Sequence, residues 1–200
     1  MRLIIATKNR GKFLEIKHIF GGLKVKLISL NGLKANLKIK EDGKTFFQNA
    51  LKKAMAVSKI YPNDLVVGED SGLEVKYLNN RPGMFSKRYA GKNSTDYRNN
   101  LKLLRELKGV KKTQRRACYR CVVALVKDSK IMKKFEGKLC GTINDKMVGK
   151  NGFGYDPIFY LPKYKKTVAQ LPLKEKNRIS HRAKAFGKLK KFLASYLKNK

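Results

Sequence analysis

The chain has 200 residues, of which 42% are apolar and 31% are charged, so it can form one domain with a buried core. This composition excludes a disordered tail and a collagen-like fibre. The 48 Lys and Arg residues against 14 acidic residues give a formal net charge of +34, which at first favours a nucleic-acid binder. Because the excess is mostly lysine spread along the whole chain, we interpret it as surface charge and expect nucleic-acid binding not to be the main function.

The predicted elements of the first half are a strand at 3–6, a helix beginning near Phe13, a strand at 25–28, a polar segment at 31–43, a helix over 45–60, and strands at 65–67 and 73–77. Pro62 ends the second helix. Glu69 and Asp70 are expected in a loop between the last two strands.

The predicted elements of the second half are a turn at 79–83, a helix capped by Ser94 or Thr95 and ended by Gly109, strands at 117–126 and 131–140 joined as a long hairpin, a Gly-rich loop at 151–157, and a closing helix capped by Ser180. Strands and helices mix without strict βαβ alternation. The sequence therefore predicts an α/β fold with a mixed sheet.

Membrane contact and disulfides are both unexpected in this sequence. No apolar run approaches the roughly 18 residues that a spanning helix needs, and the apolar N-terminal run is too short for a signal peptide. We therefore expect a soluble, cytoplasmic protein with reduced thiols. Cys118 and Cys121 have the spacing of zinc ligands, but no second close pair accompanies them, which argues against a metal there.

A polar loop follows the first strand and leads into the first helix. A loop of this kind exposes unpaired backbone N–H groups, and Thr7, Asn9 and Lys12 add side-chain donors suited to a polyphosphate. The alternative is ordinary helix capping by Asn9 with solvated lysines. The sequence by itself does not separate these two interpretations.

Two adjacent carboxylates, Glu69 and Asp70, follow a buried apolar run. Such a pair suits a hard cation such as Mg²⁺, whereas the alternative is a turn with an Asx hydrogen bond. Glu41 lies just before a helix that carries Asn49 and Lys53 four residues apart, so another acid and another cation can converge on the same place.

The Gly-rich loop and the segment before the closing helix carry groups suited to a purine base. Phe153 can stack on a base, Asp156 can accept from ring N–H groups, and Lys176, His181 and Arg182 can donate to carbonyl oxygens. The alternatives are a tight turn with a core Phe and a capped helix start with solvated basic residues.

Together these motifs resemble the inosine/xanthosine triphosphate pyrophosphatase family, also called the Ham1 family. The matching motifs, in the family's order and spacing, are 6–12 with Glu15, 69–75, Pro82-Gly83 with residues from Ser86 to Gly91, 152–157 and 180–182. The resemblance implies an elongated mixed β-sheet flanked by helices, forming a single domain over residues 1–200 with two lobes around a central cleft. It also implies a homodimer.

The resemblance further implies Mg²⁺-dependent hydrolysis of ITP, dITP and XTP to the monophosphate and pyrophosphate. By position it assigns catalysis to Asp70, as the general base, and to Lys53, which helps residues 7–12 to hold the triphosphate, and it assigns the metal to Glu41 and Asp70. Glu69 stands where many relatives have Asp and is a further candidate ligand. The substrate-binding residues that the resemblance implies are Thr7, Lys8, Asn9, Arg10, Gly11 and Lys12 at the triphosphate, Ser71, and Phe153, Gly154, Tyr155, Asp156, Lys176, His181 and Arg182 around the purine.

Overall fold

The structure is a computed structural model that describes residues 1–33, 37 and 39–198. Its helices are α1 (Arg10–Ile19), α2 (Phe46–Ser58), α3 (Asp96–Glu106), α4 (Leu173–Ile179) and α5 (His181–Lys198). Its strands are β1 (Arg2–Ile5), β2 (Lys26–Ser29), β3 (Leu65–Val75), β4 (Arg81–Gly83), β5 (Arg116–Lys127), β6 (Lys130–Ile143), β7 (Phe159–Leu161) and β8 (Lys166–Thr167). Over those same residues, no helix combines the length and the apolar character that crossing a membrane requires.

The strands form one mixed sheet in the order β2-β1-β3-β5-β6-β7-β8, with β4 paired to β3. β1 runs parallel to both β2 and β3, whereas the β3–β4, β6–β7 and β7–β8 pairs are antiparallel. The predicted mixed sheet is therefore confirmed. The arrangement of two lobes around a cleft stays a prediction.

The chain divides into two compact units. The first contains residues 1–70, 121–137 and those from 181 onward, and the second contains residues 71–120 and 138–180. The division falls inside β3, β5 and β6.

The first unit has an apolar core on each face of its strands. Leu65 and Val67 of β3 pack with residues of α1 and α5, including Phe186. Val66, whose side chain points to the other face, packs with Ala54 and Val57 of α2. This alternation is typical of a strand that is buried on both faces.

The second unit has its own core. Leu103 of α3 packs with Tyr119 of β5 and Phe159 of β7, and so does Leu107, the residue that caps the end of α3. The Tyr119 and Phe159 ring centroids lie 4.5 Å apart. The second core thus reaches the base of the Gly-rich loop, because Tyr155 is a member of the same cluster.

Gly68 allows α2 to lie directly against β3. A Cβ atom at this position would lie 1.8 Å from the carbonyl oxygen of Ala50, closer than any side chain tolerates. Because glycine has no side chain, the backbone of α2 can contact the backbone of β3 next to Glu69 and Asp70.

The helix predicted over 45–60 is confirmed as α2, and Thr45 caps it by accepting a hydrogen bond from Gln48 N–H at 3.1 Å. The hairpin of β5 and β6 is also confirmed. Its two turn residues, Asp128 and Ser129, both have positive φ angles, as a type I′ turn requires. The polar segment predicted at 31–43 lies partly outside the described residues.

Two sequence predictions are wrong. The runs at 65–67 and 73–77 are not separate strands, because β3 continues through Glu69 and Asp70 and their charges are balanced by neighbouring cations. The expectation of reduced thiols fails at Cys118 and Cys140, which form a disulfide with Cα atoms 4.0 Å apart. These residues lie on adjacent strands, β5 and β6, so pairing of the hairpin brings them together.

Candidate active site

Glu69 and Asp70 face opposite sides of the sheet, because successive side chains of a strand alternate. Glu69 points to the side of Val67, where α1 and α5 pack. Asp70 points to the side of Val66, where α2 packs. The two neighbouring carboxylates therefore enter separate networks.

Glu69 is buried between two cations. Its Oε2 accepts a hydrogen bond from Lys12 Nζ at 2.8 Å, and its Oε1 accepts one from Arg182 Nη2 at 3.1 Å. Burial alone would raise the pKa of the Glu69 carboxyl, but the charges of Lys12, Arg182 and Lys53 outweigh it and hold that pKa well below its usual value. Glu69 is therefore ionised at neutral pH and orients Lys12.

Cys121 lies beside this carboxylate, with its Sγ atom 3.6 Å from Glu69 Oε1. Burial, together with the nearby negative charge of Glu69, raises the pKa of the Cys121 thiol well above its usual value. The thiol is therefore protonated at neutral pH and is a donor to Glu69.

Arg182 joins Glu69 to a second buried acid. Its Nη1 donates to Glu15 Oε2 at 2.5 Å, and the arginine is 1% exposed. Because a guanidinium presents several donors in a rigid plane, one arginine can bind two carboxylates at once. Glu15, Arg182, Glu69 and Lys12 therefore form a continuous chain of alternating charge that links α1, α5 and β3, and we call it the buried ion network.

Asp70 is held by α2. Asn49 Nδ2 donates to Asp70 Oδ2 at 3.1 Å, and Lys53 Nζ lies 3.7 Å from Asp70 Oδ1. Burial raises the pKa of the Asp70 carboxyl above its usual value, although the positive charge of Lys53 opposes the shift. A carboxylate with a raised pKa accepts a proton more readily, as a general base must.

Lys53 links Asp70 to Glu41. Its Nζ is also 2.5 Å from Glu41 Oε2. Burial alone would lower the pKa of Lys53, but the charges of Asp70, Glu41 and Glu69 outweigh it and raise that pKa. Two carboxylates around one ammonium group make a place where positive charge is stabilised.

Glu41 and Asp70 fit the ligand set of a magnesium ion. Mg²⁺ commonly takes one or two protein carboxylates and completes its octahedral shell with water and substrate phosphate. In the part of the chain that the structure describes, no group of three or more His, Cys, Asp or Glu residues is arranged to hold a metal. A metal held by Glu41 and Asp70 would therefore take its other ligands from water or substrate.

The predicted phosphate loop forms the start of α1. Asn9 caps the helix by accepting a hydrogen bond from Lys12 N–H at 2.9 Å, and Thr7 Oγ1 accepts one from Asn9 N–H at 3.2 Å. Capping by Asn9 is thus confirmed, but Lys12 is not a solvated lysine, because it pairs with Glu69. Phosphate binding stays a prediction. Lys8 and Arg10 are exposed, and Gly11 lies in the first turn of the helix, which offers backbone donors to an anion.

In the second unit, Asp156 gathers the groups expected around a base. Lys176 Nζ donates to Asp156 Oδ2 at 2.6 Å and lies 4.4 Å from the centre of the Phe153 ring. Tyr119 donates its hydroxyl hydrogen to Asp156 Oδ1 at 3.2 Å. A Cβ atom at Gly152 would lie 2.1 Å from Asp156 Oδ2, so only glycine leaves room for this carboxylate.

Tyr119 has a strongly perturbed hydroxyl. Burial, followed by the charge of Asp156, raises the pKa of Tyr119 well above its usual value. The phenol is therefore neutral and stays a donor to Asp156. Tyr155 donates its hydroxyl hydrogen to the Ser86 carbonyl at 2.8 Å, and its contact with the purine stays a prediction.

The structure brings together Phe153, Asp156 and Lys176 in the second unit, as the sequence predicts. Ser71, in β3, belongs to the same unit. His181 and Arg182 belong to the first unit, and the guanidinium of Arg182 contacts Glu15 and Glu69. The contact of His181 and Arg182 with a purine stays a prediction.

Sequence reasoning gave no role to Glu15 or Tyr119. Glu15 is an acid on the buried side of an amphipathic helix, beside Ile16, and a buried acid requires a cationic partner. Tyr119 lies two residues from Ala117 and two from Cys121 along β5, so the strand pattern places all three on the same, buried face. Both signals are present in the sequence, although neither names the partner.

The chain is similar to known proteins over nearly its whole length. The model of the Ham1 family matches residues 3–192. A Clostridium perfringens protein named dITP/XTP pyrophosphatase is 45% identical, over 98% of this chain and 99% of its own length. The Staphylococcus aureus Ham1 protein structure has a TM-score of 0.87 at 41% identity, covering 98% of this chain and all of the other. A HAM1 protein structure from Coxiella burnetii has a TM-score of 0.88 at 37% identity, covering 98% and 99%. Because the family model and these relatives span almost the entire chain, this protein belongs to the Ham1 family.

Proposed function

We propose that this chain hydrolyses the non-canonical purine nucleoside triphosphates dITP, ITP and XTP to the monophosphate and pyrophosphate. The observation that carries the proposal is the 45% identity, over 98% of the chain, to a protein named dITP/XTP pyrophosphatase. The groups described above supply the chemistry that such a reaction needs, namely cations, a buried carboxylate and a base-binding cluster.

The triphosphate binds to groups at the start of α1 and on α2. Thr7, Asn9 and the exposed backbone donors at the start of α1 bind phosphate oxygens, with Lys8, Arg10 and Gly11 lining the same turn. Lys12 and Lys53 contribute positive charge that offsets the charge developing on the pyrophosphate leaving group. Glu69 keeps Lys12 oriented, because the two groups share a hydrogen bond.

Asp70 is the general base. Its carboxylate accepts a proton from a water molecule as the water oxygen attacks the α-phosphorus, and the bond from that phosphorus to the pyrophosphate oxygen breaks. Asn49 and Lys53 fix the orientation of Asp70. Mg²⁺ held by Glu41 and Asp70, when bound, would withdraw charge from the triphosphate oxygens.

The purine binds to the cluster around Asp156. Phe153 stacks on the base, Lys176 donates to the carbonyl oxygen at the six-position, and Asp156 accepts from a ring N–H. Adenine carries an amine at the six-position, so it would place a donor against Lys176 where the oxo-purines offer a carbonyl oxygen. His181, Arg182, Ser71, Gly154 and Tyr155 complete the set of substrate residues in this proposal.

The deciding experiment uses dITP, XTP, ITP, GTP and ATP with and without Mg²⁺, in water enriched in ¹⁸O. Attack at the α-phosphorus places the heavy oxygen in the monophosphate and releases unlabelled pyrophosphate. Label in pyrophosphate, or release of single phosphate, would overturn the mechanism.

Two variants test the assignment of the base. Asp70→Asn keeps the shape of the side chain and should lower turnover about 10²- to 10⁴-fold. Asp128→Asn is the matched control, because Asp128 lies in the β5–β6 turn with a φ angle of 49°, which asparagine tolerates. The control should keep full activity, and near-normal turnover in Asp70→Asn would remove Asp70 from the mechanism.

We further propose that the enzyme is a cytoplasmic homodimer, as the resemblance to the family implies. Light scattering coupled to gel filtration should give twice the chain mass. A monomer at micromolar concentration would contradict the dimer without affecting the proposed reaction.

A further inference from the structure

Both backbone polar groups of Gly154 are bound by side chains of α3. Gly154 N–H donates to Asp96 Oδ2 at 2.7 Å, and Asn100 Nδ2 donates to the Gly154 carbonyl at 2.8 Å. Positions 96 and 100 are four residues apart and therefore share one face of the helix. We call these two residues the Gly154 clamp.

The clamp side chains are attached to a capped helix start. Asn100 is buried, and its Nδ2 also donates to the Asp96 carbonyl at 2.7 Å, which fixes its side chain along the helix. Thr95 caps the same turn by accepting a hydrogen bond from Arg98 N–H at 3.2 Å. The clamp therefore projects from a helix start that Thr95 caps, while Asp96 remains exposed.

The loop that carries Phe153 needs such an anchor. Gly152 and Gly154 flank Phe153 with φ angles of 82° and 66°, a conformation that regular strand pairing does not stabilise. Phe153 N–H donates to Asp156 Oδ2 at 2.9 Å, and the clamp holds the next residue along the chain. The position of the Phe153 ring over Lys176 thus depends on where α3 holds Gly154.

We propose that Asp96 and Asn100 are positioning residues for base recognition, which hold Phe153 and Asp156 where the purine binds. The inference rests on the proposed function, because it assumes that this loop binds the base. The hydrogen bonds of the clamp described above all lie within the second unit. Loss of the clamp should therefore weaken purine binding equally in the ground state and the transition state, which raises KM and leaves kcat nearly unchanged.

Asn99 is a natural control on the same helix turn. It is buried and also makes two hydrogen bonds to backbone, accepting from Ala90 N–H at 2.7 Å and donating to the Lys87 carbonyl at 3.2 Å. Its partners lie in another segment. Asn99→Ala therefore removes a comparable anchor without touching Gly154.

The first test compares KM and kcat for dITP in Asp96→Ala, Asp96→Asn and Asn99→Ala. Asp96→Ala should raise KM about tenfold, the effect of one lost charge-assisted hydrogen bond, with kcat changed less than about threefold. Asp96→Asn keeps an acceptor oxygen for Gly154 N–H and should restore KM to within about twofold of wild type. Asn99→Ala should lower the melting temperature but leave KM within about twofold.

The second test needs no catalysis. The chain contains no tryptophan, so Phe153→Trp introduces a single fluorophore into the loop. Adding Asp96→Ala should increase the acrylamide quenching of that tryptophan and lower its anisotropy, whereas adding Asn99→Ala should change neither.

The outcomes separate the two proposals. If wild-type protein does not hydrolyse dITP, the proposed function fails and the clamp proposal fails with it. If it does hydrolyse dITP but Asp96→Ala leaves KM and the tryptophan signal unchanged, only the clamp proposal is overturned. A KM increase that Asp96→Asn does not rescue would also overturn it, because the retained acceptor should suffice.

Discussion

Replacing Arg182 with methionine should destabilise the folded protein far more than any exposed arginine substitution. Methionine keeps most of the side-chain volume but removes the charge that Glu15 and Glu69 share. Both carboxylates are buried, so the variant must either keep uncompensated negative charge in the interior or protonate it.

The size of the effect follows from that burial. Removing one partner of a buried ion pair typically costs about 3–5 kcal/mol of unfolding free energy. A domain of this length loses roughly 2–4 °C of melting temperature per kcal/mol, so Arg182→Met should melt about 6–20 °C below wild type.

The matched control is Arg178→Met. Arg178 forms an exposed ion pair with Glu175, Nη2 to Oε1 at 3.8 Å, and the arginine side chain is 74% exposed. Pairs of this kind contribute about 0–1 kcal/mol, so the control should melt within a few degrees of wild type. Equal melting temperatures for the two variants would refute the assignment of Arg182 to the buried ion network.

The pH dependence gives a second check of the same variant. In wild type the pKa of Glu69 is lowered, so its stabilising contribution is present above the usual glutamate pKa and is lost as the pH falls towards the folded-state value. In Arg182→Met the Glu69 carboxyl loses a neighbouring cation and its pKa rises, so lowering the pH reduces the stability of the variant less than that of wild type. The difference in melting temperature should therefore narrow between neutral pH and about pH 4. Adding Glu15→Gln to Arg182→Met should also recover part of the loss.

Three further predictions concern other parts of the molecule. Gly68→Ala should push α2 away from β3, because its Cβ would lie 1.8 Å from the Ala50 carbonyl oxygen. Both melting temperature and turnover should fall, and a urea titration should show that the free energy of unfolding decreases by about 1–3 kcal/mol or more. In the metal-free protein the Asp70 carboxyl should titrate above the usual aspartate pKa of about 3.9, because burial raises its pKa; a midpoint at or below that value, followed by carboxyl NMR with Asp70→Asn to assign the signal, would contradict the shift. Reducing the Cys118–Cys140 disulfide, which spans 22 residues, should lower the free energy of unfolding by about 3 kcal/mol. Thiol labelling that finds three free cysteines before reduction would show that the disulfide is absent.

The elements that the sequence predicts well are those with a local cause. α2 has apolar residues at helical spacing and a capping threonine at Thr45, so both its existence and its start are visible. The β5–β6 hairpin has two long β-rich runs around a short polar turn. In both cases the residues that determine the structure are neighbours in the chain.

The features that the sequence does not predict depend on distant partners. Two charged residues in succession favour a loop, yet Glu69 and Asp70 lie inside a strand because Lys12, Lys53 and Arg182 balance them. These cations come from α1, α2 and α5, and no local pattern connects them to β3. The ion pairs of Arg182 with Glu15 and Glu69 are also invisible in the sequence, because only the fold brings these distant residues together.

The opposite orientation of Glu69 and Asp70 makes the length of β3 critical. β1 pairs with β3 from Leu65 to Val67, so the register of the strand is set just before the two acids. One residue inserted after Val67 would turn every later side chain to the other face. Glu69 would then point towards α2 and Asp70 towards Arg182, so each carboxylate would meet the other's cations. The number of residues between Val67 and the two acids thus decides which cations each carboxylate contacts, and a single added residue would exchange the roles of two side chains that remain chemically unchanged.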